Sequence, residues 1–233
     1  MTRRRSLPGT RLPVVAVRST RRRKPSSTRW LSRQLNDPYV VEARRLGYRS
    51  RAAFKLIELD ERFRLLRPGQ RVVDLGCAPG GWTQVAVARV GGHGIVVGVD
   101  IAETAPLPGA TLLTADVRDP ATLVAVRAVL GGLADIVLSD MAPATIGHAA
   151  TDHLRIVALA EEAFAFASQI LEPGGAFVAK VFQGGAEGSL LAGLRRDFAE
   201  LRHAKPPASR AESAETYVVA TGFRGRDKGR IPR

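Results

Sequence analysis

The chain has few cysteines and no long apolar runs. Its single cysteine, Cys77, excludes an internal disulfide framework and suits a reducing compartment. No apolar run reaches the roughly 18 residues that a membrane span needs, and no charged start is followed by the apolar stretch of a signal peptide. We therefore expect an intracellular protein that makes no use of a membrane.

Acidic residues are absent from the first thirty residues, which contain nine arginines and one lysine. That segment supplies ten of the thirteen excess positive charges of the chain. Charge repulsion and three prolines argue against a core, so we expect residues 1–29 to be a disordered basic tail. It could be a solubilising segment, an arm that follows the phosphates of a nucleic acid, or a mitochondrial presequence whose helix the prolines weaken. Residues 225–233 are also basic, which favours the arm.

Residues 30–224 have the composition of one folded domain. Short runs rich in Val, Ile and Leu predict strands at 71–76, 94–100, 110–116, 134–140, 175–182 and 215–223. Helical spacing lies between them, including "GSLLAGLRRDFAEL" at 188–201, and one or two helices with Ser50 as a cap are predicted over 37–66. Unbroken apolar strands are buried on both faces, so we predict a doubly wound α/β fold with a mostly parallel sheet.

A glycine-rich turn joins the first strand to a helix. Gly76, Gly80 and Gly81 allow a ligand to approach the main chain, and the helix that follows offers free N–H groups. The turn lacks the Gly-Lys-Ser/Thr of a phosphate loop, and its spacing differs from the G-x-G-x-x-G of dinucleotide sites. A nucleoside ligand without a pyrophosphate is the prediction.

Acidic residues mark the ends of several predicted strands. Ligands of such folds bind beyond the carboxyl ends of the strands, where Asp74, Asp100, Asp116 and Asp140 should lie. Asp100 could accept both hydroxyls of a ribose, and Asp116 could accept an adenine amino group. This pattern favours S-adenosylmethionine over NAD. Asp119, before Pro120, is better interpreted as a helix cap or turn residue.

Six motifs in order resemble the FtsJ/RrmJ (RlmE) family of ribosomal RNA 2′-O-ribose methyltransferases. They are "YRSRAAFKLIELD", "VVDLGCAPGGWTQ", "VGVDI", "LSDMAP", "GGAFVAKVFQG" and "SAETYVVATG". The resemblance runs from about Trp30 to Phe223, nearly all of the predicted domain. It implies the seven-stranded, Rossmann-like fold of class I S-adenosylmethionine-dependent methyltransferases.

The resemblance also implies the site residues. The Lys-Asp-Lys-Glu tetrad of the family matches Lys55, Asp140, Lys180 and Glu215. The cofactor residues of the family match Gly80, Trp82, Asp100, Asp116 and Asp140. Trp82 could equally pack the helix against the core. This chain has Ala144 where the family usually has Asn after "DMAP", which puts in doubt any substrate contact made there.

Lys180 is the candidate for the group that touches the reacting hydroxyl. Lysine is scarce, with only five among 35 cationic residues, so a lysine inside the apolar strand "AFVAKVF" suggests a specific use. The residues leave open whether Lys180 abstracts the proton or orients the oxygen. A strand lysine that reaches to the sheet edge is the structural alternative.

The implied partner is ribosomal RNA in the large ribosomal subunit, with a uridine of the A-loop as the target. Aromatic residues make up only 6% of the chain, so phosphate contacts should outweigh base stacking, and Arg44, Arg45, Arg49 and Arg51 should form a binding face. We expect a cytoplasmic monomer without a metal, since the four histidines show no ligand spacing. The alternatives are a transfer RNA or messenger RNA cap methylase and a non-catalytic ribosome-assembly factor.

Overall fold

The computed structural model describes residues 35–143, 149–182 and 188–225, which form a seven-stranded sheet with helices on both faces. Its strands are β1 Arg71–Leu75, β2 Ile95–Asp100, β3 Ala110–Thr114, β4 Ala134–Ser139, β5 Leu171–Phe182, β6 Phe198–Ala204 and β7 Glu215–Phe223. They lie in the order β3-β2-β1-β4-β5-β7-β6. Strands β1 to β5 are parallel, and β7 runs antiparallel to both of its neighbours.

Six helices of the described residues cover the sheet. They are α1 Pro38–Arg45, α2 Ala52–Phe63, α3 Gly81–Val90, α4 Pro120–Leu130, α5 Ala149–Ile170 and α6 Gly188–Asp197. Successive strand residues point to opposite faces, so Val72 joins a core with α2 and α3 while Val73 joins a core with α4, α5 and α6. This is the predicted doubly wound architecture. No helix among the described residues has the length and apolar character to cross a membrane.

All six predicted strands are present, but the helix predicted over 188–201 is too long. Helix α6 ends at Asp197, and Phe198 begins the edge strand β6 instead. Only the terminal residues of β6, Phe198 and Ala204, are buried, and charged residues lie between them. An edge strand of this kind lacks the apolar alternation by which strands are recognised, so its pairing with β7 decides its conformation.

The two capping predictions had different outcomes. Asp119 caps α4 as predicted, because its carboxylate accepts a hydrogen bond from the Ala121 N–H. Ser50 does not cap α2: the cap position is Arg51, without a side-chain bond. The Ser50 hydroxyl is instead buried without a hydrogen-bond partner among the described residues and lies against Gly81. Tertiary packing against α3 therefore overrides the local preference of serine for a cap.

Asp74 lies within β1, beneath the glycine turn, and its side chain is fully buried. Thr83 of α3 donates a 2.6 Å hydrogen bond to one carboxylate oxygen, while the other oxygen has no partner among the described residues. Burial raises the pKa of Asp74 to about 7, and the nearby charges of Asp140 and Asp100 act in the same direction. Between about pH 4 and pH 7 the folded chain therefore keeps a proton on Asp74 that the unfolded chain has released.

We predict that Asp74→Asn stabilises the chain above neutral pH. The raised pKa means that the parent loses stability as pH rises from about 4 to about 7, by roughly 4 kcal/mol in total. Asparagine mimics the neutral acid and removes that loss. Urea denaturation should show the two proteins converging near pH 4 and diverging by pH 8. Asp119→Asn, which preserves a good cap, is the control; parallel pH profiles for parent and Asp74→Asn would contradict the prediction.

Candidate active site

A cavity of about 640 Å³ opens at the carboxyl ends of the parallel strands. Three of the predicted acids line it: Asp100 is the last residue of β2, Asp116 follows β3, and Asp140 follows β4. Apolar side chains, among them Val99 and Ile101, supply much of the remaining wall. A cleft of this size with a few convergent polar groups is typical of small-molecule sites.

The carboxylates of Asp100 and Asp116 are held by different contacts. Asp100 accepts hydrogen bonds from the main-chain N–H groups of Ala78 (2.9 Å) and Ala102 (2.8 Å), which tie it to the glycine turn. Asp116 binds the side chain and the main-chain N–H of Arg118. The hydrogen bonds from Arg118 lower the pKa of Asp116 to about 2. Asp116 therefore faces the cavity as a carboxylate.

Asp140 is the centre of the polar network. Lys180 donates hydrogen bonds to its main-chain oxygen (2.7 Å) and its Oδ1 atom (3.1 Å), and Tyr217 donates a 2.8 Å bond to the same Oδ1. Burial alone would raise the pKa of Asp140, but the charges of Lys180 and Lys55 and these hydrogen bonds lower it below its ordinary value. The sheet register explains the contact, since Ser139 pairs with Ala179 and Lys180 with Tyr217.

Lys55 and Glu215 form a second ion pair at the same edge. Lys55 Nζ in α2 lies 2.8 Å from the carboxylate of Glu215, the first residue of β7. Ser209, in the connection from β6 to β7, donates a 2.7 Å hydrogen bond to Glu215. Lys55 Nζ also lies 5.8 Å from the ring centroid of Tyr217, so this tyrosine stands between the two pairs. The structure thus brings the four predicted tetrad residues together.

A second cavity, of about 350 Å³, lies on the outer side of the Lys55–Glu215 pair. Arg51 and Arg210 contribute to its walls, together with Ser213. Asp37 is within 2.7 Å of Arg51 and 3.6 Å of Arg210, which holds both guanidinium groups near the opening. Asp140 of the tetrad thus lines the cavity at the strand ends, whereas Lys55 and Glu215 line the smaller cavity, whose wall also carries Arg51, Arg210 and Glu212.

The residues of the glycine turn have distinct positions. Gly76 lines the large cavity, and a Cβ atom on it would approach Met141 to 2.6 Å. Gly80 and Trp82 are not among the lining residues: the Cα of Gly80 faces the side chain of Arg49, and Trp82 lies in the core, where its indole N–H donates to the Ala52 carbonyl. The side chain of Trp82 thus packs the helix against the core, which was the alternative from the sequence.

Cys77 is buried beside the same turn. Burial raises the pKa of its thiol to about 12, with a further contribution from the charge of Asp74. The thiol therefore stays protonated at neutral pH. Its packing against Gly98, where a Cβ would meet the sulfur at 2.9 Å, accounts for the glycine at position 98.

The arginines predicted to form a binding face have more than one role. Arg49 donates hydrogen bonds to the carbonyls of Pro79 (3.2 Å), Ala105 (2.6 Å) and Pro106 (2.6 Å), and so joins two loops. Arg51 pairs with Asp37 and donates to the Ala208 carbonyl, and Arg45 pairs with Glu42. Arg44 is exposed, and its guanidinium has no partner in the described part of the chain. Arg49 and Arg51 are therefore structural contacts as well as positive charges.

Sequence reasoning missed Tyr217, Ser209, Arg118 and Ile101 as residues of the site. Tyr217 had a usable signal, because a tyrosine in an apolar strand needs a hydrogen-bond partner when it is buried. Its burial and the negative charges of Asp140 and Glu215 raise the pKa of Tyr217 well above its ordinary value, so it is a donor. Ser209 and Arg118 gave no such signal, because their partners are set by loop conformations.

Two further expectations concern a metal site and the residues that lie outside the described ranges. Among the described residues there is no group of three or more histidine, cysteine, aspartate or glutamate side chains that could hold a metal. Ala144, the departure from the family pattern, lies outside the described residues, as do residues 1–29 and 226–233.

Comparison with known proteins shows a consistent relationship. Residues 48–223 match the family model described as FtsJ-like methyltransferase. A protein of Paramagnetospirillum magneticum named ribosomal RNA large subunit methyltransferase E is 63% identical over 93% of this chain and 91% of its own length. A protein of the same name from Rhodospirillum rubrum is 59% identical over 95% and 86%. A crystal structure from Plasmodium falciparum, described as a ribosomal RNA methyltransferase, is 31% identical with a TM-score of 0.70, over 77% of this chain and 100% of that one.

We predict that Tyr217→Phe changes the pH dependence of the free energy of unfolding in acid solution. The variant keeps the ring but loses the hydrogen bond to Asp140, which should cost about 1 kcal/mol and raise the pKa of Asp140. Because that pKa is lowered by folding, its stabilising effect is present above the unfolded value and is lost as pH falls.

Urea denaturation between pH 3 and 8 should therefore show a smaller acid-induced loss of stability in Tyr217→Phe than in the parent, because the loss begins at the unfolded pKa in both proteins and ends at the higher folded pKa of the variant. Tyr48→Phe is the matched control, since the Tyr48 hydroxyl has no hydrogen-bond partner in the described residues. An acid limb that coincides with that of the parent would show that the Tyr217 hydroxyl does not stabilise the ionised Asp140.

Proposed function

Because the chain belongs to the FtsJ-like methyltransferase family, we propose that it methylates a ribose 2′-oxygen of ribosomal RNA with S-adenosylmethionine as donor. The target is the A-loop uridine of the large-subunit RNA in the assembled subunit. The names of the relatives support the large subunit as substrate. The 2′-oxygen and the uridine follow from the resemblance of the tetrad and its flanking motifs.

One observation carries the proposal: the large cavity and the tetrad meet at Asp140. The Asp140 side chain lines the cavity at the strand ends and also binds Lys180 and Tyr217. A donor bound in that cavity and a hydroxyl held by the tetrad would therefore be neighbours. Positioning of this kind is the main contribution that an enzyme can make to a transfer between two reactive groups.

The residues fit S-adenosylmethionine. The cavity volume of about 640 Å³ is within the range of small-ligand sites. Asp100 would bind the ribose hydroxyls, Asp116 the adenine amino group, and Asp140 would lie toward the methionine end, where a carboxylate favours a sulfonium. Met141 leaves no room for a side chain at Gly76, so the main chain itself forms that wall.

The reaction joins the 2′-oxygen to the methyl carbon, breaks the bond from that carbon to sulfur, and releases the hydroxyl proton, giving S-adenosylhomocysteine and a methylated ribose. Lys180 would orient the 2′-oxygen: Asp140 accepts two of its hydrogen bonds and leaves one N–H for the substrate. Lys55, fixed by Glu215, would bind the ribose or the adjacent phosphate. The second cavity, with Lys55, Arg51 and Arg210 in its wall, would admit the target nucleotide.

We also propose a cytoplasmic location, where a reducing environment suits the free Cys77. The monomeric state stays a prediction. A transfer RNA or cap methylase and a non-catalytic assembly factor remain the alternatives. The intact tetrad disfavours the assembly factor, because a protein that only binds RNA has no use for two partly buried lysine–carboxylate pairs beside a ligand cavity.

We predict that Lys180→Ala abolishes methyl transfer and leaves RNA affinity near that of the parent. Labelled S-adenosylmethionine would be supplied with large ribosomal subunits that lack the modification, with free ribosomal RNA and with transfer RNA, and the labelled nucleotide would be mapped. We expect label on one 2′-oxygen of the large-subunit RNA and a rate loss of about 100-fold or more in the variant.

Thermal denaturation would establish that Lys180→Ala is folded at the assay temperature. Label on transfer RNA alone would keep the chemistry and overturn the substrate. Label on none of the RNAs would favour the assembly factor.

We also predict that deletion of residues 1–29 weakens RNA binding and flattens its salt dependence. The segment carries nine arginines and one lysine. For every phosphate that the shortened chain no longer neutralises, the slope of log affinity against log salt should fall by about 0.7–0.9. A tail of equal length with these ten residues replaced by glutamine and serine is the control for length. Equal slopes for the full chain and the deletion would overturn the role of the tail.

A further inference from the structure

Asp116 makes a two-point contact with Arg118 in the wall of the large cavity. Arg118 reaches Oδ1 through its main-chain N–H (2.9 Å) and Nε (3.0 Å), and reaches Oδ2 through Nε (3.1 Å) and its terminal nitrogen (2.5 Å). The side chains of Arg118 and Asp116 are 66% and 36% exposed. An ion pair this exposed contributes little to stability. Its place in the wall of the large cavity points to a role in binding a ligand.

The lone pairs of the Asp116 carboxylate show how many further hydrogen bonds it could accept from a ligand. A carboxylate has about four acceptor positions, two on each oxygen. Arg118 supplies three N–H groups: the main-chain N–H binds Oδ1, the terminal nitrogen binds Oδ2, and the single Nε proton is shared between the two oxygens. Three protons for about four acceptor positions leave room on the carboxylate for one further donor. Asp116 and Arg118 both line the large cavity, so a bound molecule can supply that donor.

We infer that Arg118 is a positioning residue that makes Asp116 selective for the amino edge of adenine over the carbonyl edge of a deaminated purine. The inference rests on the proposed function, in which Asp116 binds the adenine of the cofactor. Arg118 would act through the carboxylate and would not touch the reacting groups.

Two physical effects support this selectivity. The two-point contact and the main-chain bond hold the carboxylate in one orientation, so the remaining lone pair has a defined direction. An aspartate is ionised at neutral pH and has no proton to donate to a carbonyl oxygen, and the lowered pKa of about 2 extends this state into acid solution. The amino group of adenine can therefore donate to the remaining acceptor position, whereas the carbonyl oxygen of a deaminated purine would be repelled by the lone pair there.

The test compares two ligands by isothermal titration calorimetry: S-adenosylhomocysteine and S-inosylhomocysteine, which has a carbonyl in place of the amino group. We expect the parent to prefer the adenosyl ligand by at least about tenfold, the effect of one hydrogen bond to a charged group. Arg118→Gln should lose most of that preference through weaker binding of the adenosyl ligand. Arg118→Lys keeps the charge without the two-point contact and should resemble Arg118→Gln.

Arg196→Gln is the matched control, because Arg196 makes the same two-point contact with Asp197 and does not line the cavity. It should retain the preference of the parent. A parent preference that survives in Arg118→Gln would overturn the role of Arg118 and leave the proposed function intact. Equal binding of the two ligands by the parent would overturn the adenine assignment of Asp116, and binding of neither would overturn the proposed cofactor.

Discussion

The site depends on one largely buried carboxylate, Asp140, immediately after β4. A buried carboxylate is tolerated only when charge and hydrogen bonds compensate the loss of water. Both compensating donors come from the adjacent strands, Lys180 from β5 and Tyr217 from β7, at positions that the register makes neighbours. The antiparallel insertion of β7 next to β5 is therefore what completes the polar centre. A shift of one residue in either strand would turn these side chains to the opposite face.

The tetrad lines two different cavities. In the large cavity, acidic groups and apolar walls suit a nucleoside that carries a positive charge. The smaller cavity is lined by Lys55, by Arg51 and Arg210, and by the acidic side chains of Glu212 and Glu215. The positions of the charged groups follow from the order of the elements: Asp140 at the strand ends, then Lys180 on β5, then Lys55 on α2. The β6–β7 connection is held by Glu58, which accepts from the Ala208 N–H.

Predictions from the sequence succeeded where the signal was local or repeated along the chain. Six strands, the alternation with helices and the cap at Asp119 all depend on neighbouring residues. The strand β6 was missed, because an exposed edge strand carries few apolar residues and is defined by its pairing partner. Ser50 was assigned to a cap that it does not form, since its hydroxyl packs against Gly81. Arg49, which was expected on a binding face, also holds three carbonyls of distant loops, a role that the sequence did not indicate.

The sequence by itself determined the class of fold, the glycine turn and the identity of the acids and lysines that could meet at one edge of the sheet. Each of these conclusions follows from periodicity, from residue chemistry or from motifs read in order. Only the tertiary structure decided which of those groups pair, that Tyr217 binds Asp140, that Arg118 holds Asp116, and that Trp82 belongs to the core. These contacts join residues through strand register and loop conformation, and the free energy of packing that selects them arises only when the whole sheet has formed.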